Sequence, residues 1–303
     1  MTDTHPDAQA SRCGYIALVG RPNVGKSTLL NRLLGMKLSI VSRRPQTTRN
    51  RLIGVQTRGQ TQYVYVDTPG VHGDQKKALN RYLNRSAVTA LGDVDVVVMV
   101  VEPERWTDDD DLVLKHLRQA GRPVVAVINK VDLIPHKDRL LPFIEELAGR
   151  YDFAEIVPLS ATKGQNVAPL EEVLERFLPE APFLFPEEQV TDRSERFLVA
   201  ELIREQLMRS LGQEVPYSAT VEVEAFEEES QRTRIAAVIW VERDGQKAIV
   251  IGKGGQQLKR IGQQAREQIQ ELLQRRVHLD LWVKVRAGWA DDERAMKSLG
   301  YDD

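Results

Sequence analysis

The stretch Gly20-Arg-Pro-Asn-Val-Gly25-Lys26-Ser27 constrains this chain more than any other feature. It follows a short apolar run from Tyr15 to Gly20. It precedes a segment with helical apolar spacing, Leu29, Leu30, Leu33 and Leu34, that stops at Gly35. A strand, a glycine loop and a helix in that order point backbone N–H groups and the helix dipole at an anion. Gly20, Asn23, Val24, Gly25, Lys26, Ser27 and Thr28 are therefore the candidate phosphate-binding positions. Lys26 supplies a point charge at the β- and γ-phosphates, and the Ser27 hydroxyl can ligate Mg²⁺.

The elements that follow alternate. Strands are expected at Arg51–Thr57, Gln62–Asp67, Val94–Val101, Pro123–Asn129 and Ile156–Ser160. Helices are expected at Asp108–Ala120, Asp138–Ala148 and Val167–Leu178. Short all-aliphatic strands between helices imply an α/β fold whose mostly parallel sheet is covered on both faces. The Arg58-Gly59-Gln60 turn makes one hairpin, so the sheet is mixed.

Four further motifs bear on the nucleotide. Asn129-Lys130-Val131-Asp132 follows a buried strand. The Asp132 carboxylate can accept from N1–H and the N2 amino group of guanine; adenine would leave it unpaired. Asn129 can meet the other edge of the base, and the Lys130 stem can cover the ring. Ser160-Ala161-Thr162 can present a backbone N–H to the guanine O6. Asp67-Thr-Pro-Gly70 closes a strand, with Asp67 near Mg²⁺ and the Gly70 backbone near the γ-phosphate. In Gln46-Thr-Thr-Arg49, Thr48 is preferred over Thr47 as a further Mg²⁺ ligand released on hydrolysis. Lys26, Thr48 and Gly70 are the candidate catalytic positions. Val71 stands where a glutamine would orient water, so hydrolysis needs another group. His72, a lone loop histidine, is expected to be solvated.

Three prolines between Pro179 and Pro186 suggest a linker, and the pattern changes beyond it. A helix at Ser194–Leu211, strands at Tyr217–Ala225 and Thr233–Val241, helical pieces around Val250-Ile-Gly-Lys-Gly-Gly255, a helix at Gln256–Gln274 and a strand at Val277–Val285 give the order α-β-β-α-α-β. That is the order of a type II KH domain, an α+β fold whose glycine loop clamps nucleic-acid backbone. The chain's net charge of −2 gives no global attraction to nucleic acid, so any such site is a local patch. Between Lys247 and Arg276 seven basic residues face two acidic ones. Ile251, Gly252, Lys253, Gly254, Gly255, Lys259, Arg260 and Arg266 are the candidate RNA-binding residues. The acidic run Glu227 to Glu229 reads as a solvated hairpin tip, and Trp282 as a packing residue. The divisions expected are 12–178 for the nucleotide domain, 179–193 for the linker, 194–287 for the KH domain and 288–303 for a tail.

The single cysteine, Cys13, reads as a small residue at a strand start in a reducing compartment. The polar N-terminus lacks a signal peptide's apolar core. The longest aliphatic run, Val96 to Val101, is far short of a spanning helix.

These motifs, with Leu281-Trp-Val-Lys-Val and Gly288-Trp-Ala-Asp-Asp-Glu-Arg294, resemble the Era family of bacterial GTPases of ribosome assembly. The resemblance covers about Tyr15 to Tyr301; only the KH domain and the C-terminal segment single that family out. It implies GTP and GDP as ligands with Mg²⁺, and binding to small-subunit ribosomal RNA near its 3′ end. It also implies assistance to 30S subunit assembly, a monomeric cytoplasmic protein, and peripheral association with the inner face of the cell membrane. It suggests K⁺ support for hydrolysis, held in part by Asn23, in place of the glutamine absent at Val71. A non-enzymatic RNA-binding scaffold with structural nucleotide is the alternative. A tRNA-modifying GTPase is disfavoured by the lack of a second cysteine or a modification domain.

Overall fold

The computed structural model describes residues 11–73, 78–212 and 215–301, and not the side chain of Lys137. The reading of the extreme N-terminus lies outside these residues. Contacts group the chain into two compact units, and the grouping is not contiguous in sequence. The first holds residues up to Ser39, Arg51–Gly73 and Asn84–Asp192; the second holds Ile40–Asn50, the segment ending at Leu83, and everything from Arg193.

The first unit is built on β1 (Arg12–Val19), α1 (Lys26–Leu34), β2 (Leu52–Arg58), β3 (Thr61–Asp67), β4 (Val96–Val101), α3 (Asp108–Ala120), β5 (Val124–Ile128), α4 (Leu140–Arg150), β6 (Glu155–Pro158) and α5 (Val167–Glu175), with the end of α2 (Ala78–Thr89). The six strands lie in the order β2-β3-β1-β4-β5-β6. Only β2, paired with β3, runs antiparallel. Every residue of β3, β4 and β5 is buried, the pattern of strands covered on both faces. Because β1, β3, β4, β5 and β6 share one direction, the loops that leave them gather at one end of the sheet. Those loops begin at Gly20, Thr68, Glu102, Asn129 and Leu159.

The proline-rich stretch read as a linker is fastened along this unit. Cys13 N–H donates to Pro179 O, Ala181 N–H to Ser11 O, and Leu184 and Phe185 N–H to the Gln62 side chain. Val55 N–H donates to Val190 O, and the Thr191 hydroxyl to Ile53 O. The edge strand β2 offers unpaired backbone groups, and the segment satisfies some of them. Cys13 is buried beside Gln62 at the start of β1.

The second unit comprises α6 (Glu195–Ser210), β7 (Thr220–Glu228), β8 (Thr233–Val241), α7 (Asp244–Ile251), α8 (Gln256–Leu273), β9 (Val277–Val285) and α9 (Glu293–Ser298). Its sheet has the order β7-β8-β9, antiparallel then parallel. Val277, Leu279, Leu281, Val283 and Val285 face a core shared with Leu202 and Ile203 of α6 and Ile261, Ala265 and Ile269 of α8. Trp282 is 47% exposed, a correction to its reading as a packing residue. Period-two alternation turns it to the face opposite the helices.

A small second core joins the chain's end to the start of α2: Trp289, Ala290, Ala295, Met296 and Tyr301 pack with Ala78, Leu79, Tyr82 and Leu83. Arg49 lies in the same unit with no exposed surface. Its guanidinium donates to Ala219 O at 2.8 Å, Tyr217 O at 2.9 Å, Pro216 O at 3.1 Å and the Tyr301 hydroxyl at 3.1 Å. Its charge also lies 5.9 Å from the Trp289 ring centre. The four hydrogen bonds of its two terminal nitrogens offset the cost of burying the cation, although its Nε has no hydrogen-bond partner among the described residues. Arg49→Met should therefore lower the stability of this unit by about 3 kcal/mol, leaving several buried acceptors unpaired. A lower urea midpoint for its unfolding, followed by Trp289 fluorescence, would show this.

Candidate nucleotide site and candidate nucleic-acid interface

The glycine loop of the first unit is fixed by its own backbone. Gly20 has φ 147°, and a Cβ there would fall 2.4 Å from Val100 O. Gly25 has φ 103° and would meet the Asn129 amide at 2.3 Å. Neither position tolerates a side chain. Asn23 also sits at positive φ, 66°. α1 begins at Lys26, so the N–H groups of Lys26, Ser27 and Thr28 have no acceptor within the helix itself. The Lys26 ammonium donates to Gly20 O and Arg21 O at 2.9 and 3.1 Å. Burial pulls it down to about 8, against the opposing pull of Asp67.

The Ser27 hydroxyl donates to Asp67 Oδ2 at 2.7 Å, and the Ser39 hydroxyl to the same oxygen at 2.8 Å. A hydroxyl and a fully buried carboxylate thus converge beside the phosphate loop. These hard oxygen donors fit Mg²⁺. Gly70 lies against the same loop: a Cβ on it would fall 2.7 Å from Pro22 N. Val71 turns inward and joins the core of β1, β3 and β4. His72, expected to be solvated, is only 8% exposed. Its backbone exchanges hydrogen bonds with the Asn84 side chain at 3.2 and 2.8 Å, which carries the loop inward.

On the base side, Asn129 acts first as a brace. Its Nδ2 donates to Val24 O at 2.8 Å, and its Oδ1 accepts from Ala161 N–H at 3.0 Å. The second N–H of its amide is the part that can meet a base edge. Ser160 N–H donates to Gln165 O, so Thr162 carries the donor of the triplet that the loop does not itself use. Lys130 has φ 65° and reaches Asn23 O at 2.7 Å. Asp132 is exposed in a short turn of 3₁₀ helix and forms no ion pair among the described residues.

Thr48 belongs to the second unit's Ile40–Asn50 segment. The neighbouring Thr47 hydroxyl is engaged locally, with the Ser42 hydroxyl at 2.6 Å and Arg44 O at 2.7 Å. Inside that unit the segment is held at several points. Val41 N–H donates to Glu205 at 2.9 Å, Arg204 donates to Thr47 O, and Arg49 is buried as above.

The KH loop follows α7. Gly252, Gly254 and Gly255 all have positive φ, 72°, 59° and 76°. No heavy atom lies within 4 Å of where a Cβ on Gly254 or Gly255 would stand, so that side of the loop is open. Beside it runs a groove of about 460 Å³, lined by Gly255, Leu258, Lys259, Gly262, Gln263, Arg266, Leu279 and Leu281. Leu258, Leu279 and Leu281 give an apolar floor suited to base faces, and Lys259 and Arg266 a basic rim. Lys253 is exposed; Arg260 is exposed on α8 without lining the groove, and Ile251 packs on the core. Arg275, counted in the basic patch, is engaged with Glu195 and Glu228.

Sequence reading missed Leu258, Gly262, Gln263, Leu279 and Leu281, because apolar residues on a helix and a strand read as core. Gly262 was the available signal. A mid-helix glycine costs about 1 kcal/mol against alanine, and a Cβ there would press Leu281 at 3.3 Å.

The family described as 50S ribosome-binding GTPase matches residues 15–130, and the KH domain family matches residues 214–290. A protein of Actinobacillus pleuropneumoniae named GTPase Era is 57% identical over 292 residues, 96% of each chain. One of Pseudomonas aeruginosa with the same name is 55% identical over the whole of both chains. The structure of Aquifex aeolicus Era bound to GDP and AlF₄⁻ superposes with a TM-score of 0.93 at 38% identity, covering 96% of this chain and all of that one. A structure of Era with MgGDPNP and nucleotides 1506–1542 of 16S ribosomal RNA gives 0.94 at 38%, covering 97% and 100%. With a GTPase domain and a KH domain on one chain, and relatives this similar over its full length, the chain belongs to the Era family of GTPases.

Proposed function

We propose that this chain is a GTP-hydrolysing switch that binds small-subunit ribosomal RNA near its 3′ end and assists 30S subunit assembly. The observation that carries it is the coexistence of two complete sites. One is the Ser27–Asp67 pair beside a glycine phosphate loop; the other is an open glycine loop beside a basic-rimmed groove. The solved relatives hold guanine nucleotide and, in one, a 16S fragment.

In this reading the N–H groups at the start of α1 and the Lys26 ammonium hold the β- and γ-phosphates. Ser27 and Asp67 would hold Mg²⁺, which would neutralise charge on the phosphates, and Thr48 would be a further ligand on the strength of the family resemblance. Gly70 brings backbone to the γ-phosphate because its missing side chain permits contact with Pro22. Asp132 and Thr162 N–H read the guanine edge. Ile251–Gly255 with Lys259, Arg260 and Arg266 hold the RNA backbone, and the groove takes bases. The functional divisions are 12–178, 179–193, 194–287 and 288–303. Val71 faces the core and cannot orient water; K⁺ held in part by Asn23, as the family resemblance suggests, would supply charge stabilisation in its place. Cytoplasmic placement, a monomeric state and peripheral membrane association complete the reading and rest on the family resemblance. Among the described residues no helix is long and apolar enough to cross a membrane.

The switch differs from a scaffold in turnover. Multi-turnover GTP hydrolysis should rise when a 16S 3′-end oligonucleotide is added, and fall on replacing K⁺ by Na⁺. A rate indifferent to RNA favours the scaffold, and one indifferent to the cation removes the K⁺ role. Gly254→Asp should weaken RNA binding at least tenfold without changing GDP affinity, since it adds charge and strain at φ 59°; unchanged RNA affinity would remove the loop from the interface. The pH profile of GDP binding tests Lys26. Nucleotide takes the charged form, so above pH 8 binding requires proton uptake and affinity falls as pH rises. The fall should approach about tenfold per pH unit and be absent in Lys26→Ala. A flat profile in the unsubstituted chain would contradict the assignment.

A further inference from the structure

The base-recognition lysine and the phosphate loop are joined by a carboxylate that none of the nucleotide motifs contains. Glu102 is the first residue beyond β4, and a backbone bridge to Arg105 fixes the turn that carries it. One carboxylate oxygen accepts from the Lys130 ammonium and the other from the Arg21 guanidinium. The glutamate side chain is 14% exposed and the arginine 7%.

Arg21 is itself anchored. Its Nε donates to Asp110 Oδ2 at 3.1 Å. That oxygen also accepts from Thr107 N–H at 3.0 Å and the Thr107 hydroxyl at 2.9 Å, closing the capping box of α3. Asp110 is fully buried, so its place is set by the helix. A chain of contacts therefore runs from the α3 N-terminus through Arg21 to Glu102, and from Glu102 to Lys130. Two cations and two carboxylates balance, with a third cation, Arg105, at the rim 3.9 Å from Glu102. Burial raises the Glu102 carboxyl, but hydrogen bonds from Lys130 and Arg21 outweigh it and hold the group below the usual carboxylate range.

We propose that Glu102 is a positioning residue for nucleotide binding, holding Lys130 in the orientation that lets its stem cover the guanine ring. The inference rests on the guanine-nucleotide reading of this site. Lys130 is long, flexible and 30% exposed, and free lysine side chains lose substantial entropy when ordered. Asn23 O fixes one donor direction of the ammonium; Glu102 fixes a second. With both, the stem is ordered before nucleotide arrives, which lowers the cost of binding.

The carboxylate touches the lysine and not the reacting phosphate, so its effect falls on affinity. Glu102→Gln keeps the shape and removes the charge. It should weaken GDP and GTP binding about tenfold by raising the ordering cost of Lys130. KM for GTP should rise in parallel with little change in kcat. A double-mutant cycle separates this from a structural role. In a Lys130→Ala background, Glu102→Gln should change GDP affinity less than twofold. Asp110→Asn, which loosens the Arg21 anchor without touching Lys130, should cost less than threefold, with melting temperature monitored for all variants. Full additivity of Glu102→Gln and Lys130→Ala would overturn the proposal. So would an Asp110→Asn loss as large as that of Glu102→Gln. If the unsubstituted chain does not bind GDP, the nucleotide reading itself fails, and the cycle is not reached.

Discussion

The first unit depends on the direction its strands share. Five parallel strands deliver five loops to one end of the sheet, and apart from Thr48 the groups proposed to meet the nucleotide lie on these loops or where they join a strand or helix. The loops are then tied to each other rather than left to solvent. Asn129 holds the phosphate loop and the Ser160 loop with the two ends of one amide. Ser27 and Ser39 meet on Asp67, and Arg21 and Lys130 meet on Glu102. Backbone N–H groups bind phosphate well only if they need not reorganise, and these cross-links supply that rigidity.

The second unit includes a segment from early in the chain. The Ile40–Asn50 segment, which carries Thr48, groups by contact with the KH domain. It is held there by Glu205, Arg204 and the buried Arg49, whose acceptors include the Tyr301 hydroxyl. A ligand shifts a conformational equilibrium only by its differential affinity for the two states. On the proposed function, Thr48 would supply such a differential contact by ligating Mg²⁺ when GTP is bound. The proline-rich stretch was read as a linker. It is hydrogen-bonded along β2 and Gln62, so its prolines mark a strap with fixed turns.

Much of this was legible in the sequence because period and motif agree. Aliphatic strands beside glycine loops placed the sheet, and alternation from Val277 to Val285 placed the inner face of β9. What stayed hidden depends on contacts between residues distant in the chain. The sequence reading assigned no helix to 78–89, although Leu79, Tyr82, Leu83 and Ala87 recur at helical spacing; asparagine and arginine between them mask the apolar face. The tail's role depends on Trp289 and Tyr301 meeting that helix, which no local pattern encodes. Arg49 read as the end of a threonine motif and proved to be a buried hub. His72 read as solvated and proved buried, because Asn84 satisfies its backbone from α2.

If the proposed switch operates, nucleotide state governs RNA affinity. The most direct test is the dissociation constant of the full chain for a single-stranded 16S 3′-end oligonucleotide, measured by fluorescence anisotropy with a non-hydrolysable GTP analogue and with GDP at one fixed salt concentration. The account predicts tighter binding with the GTP analogue, by about tenfold, the order of an ordinary coupling free energy. Equal affinities in the two nucleotide states would contradict it.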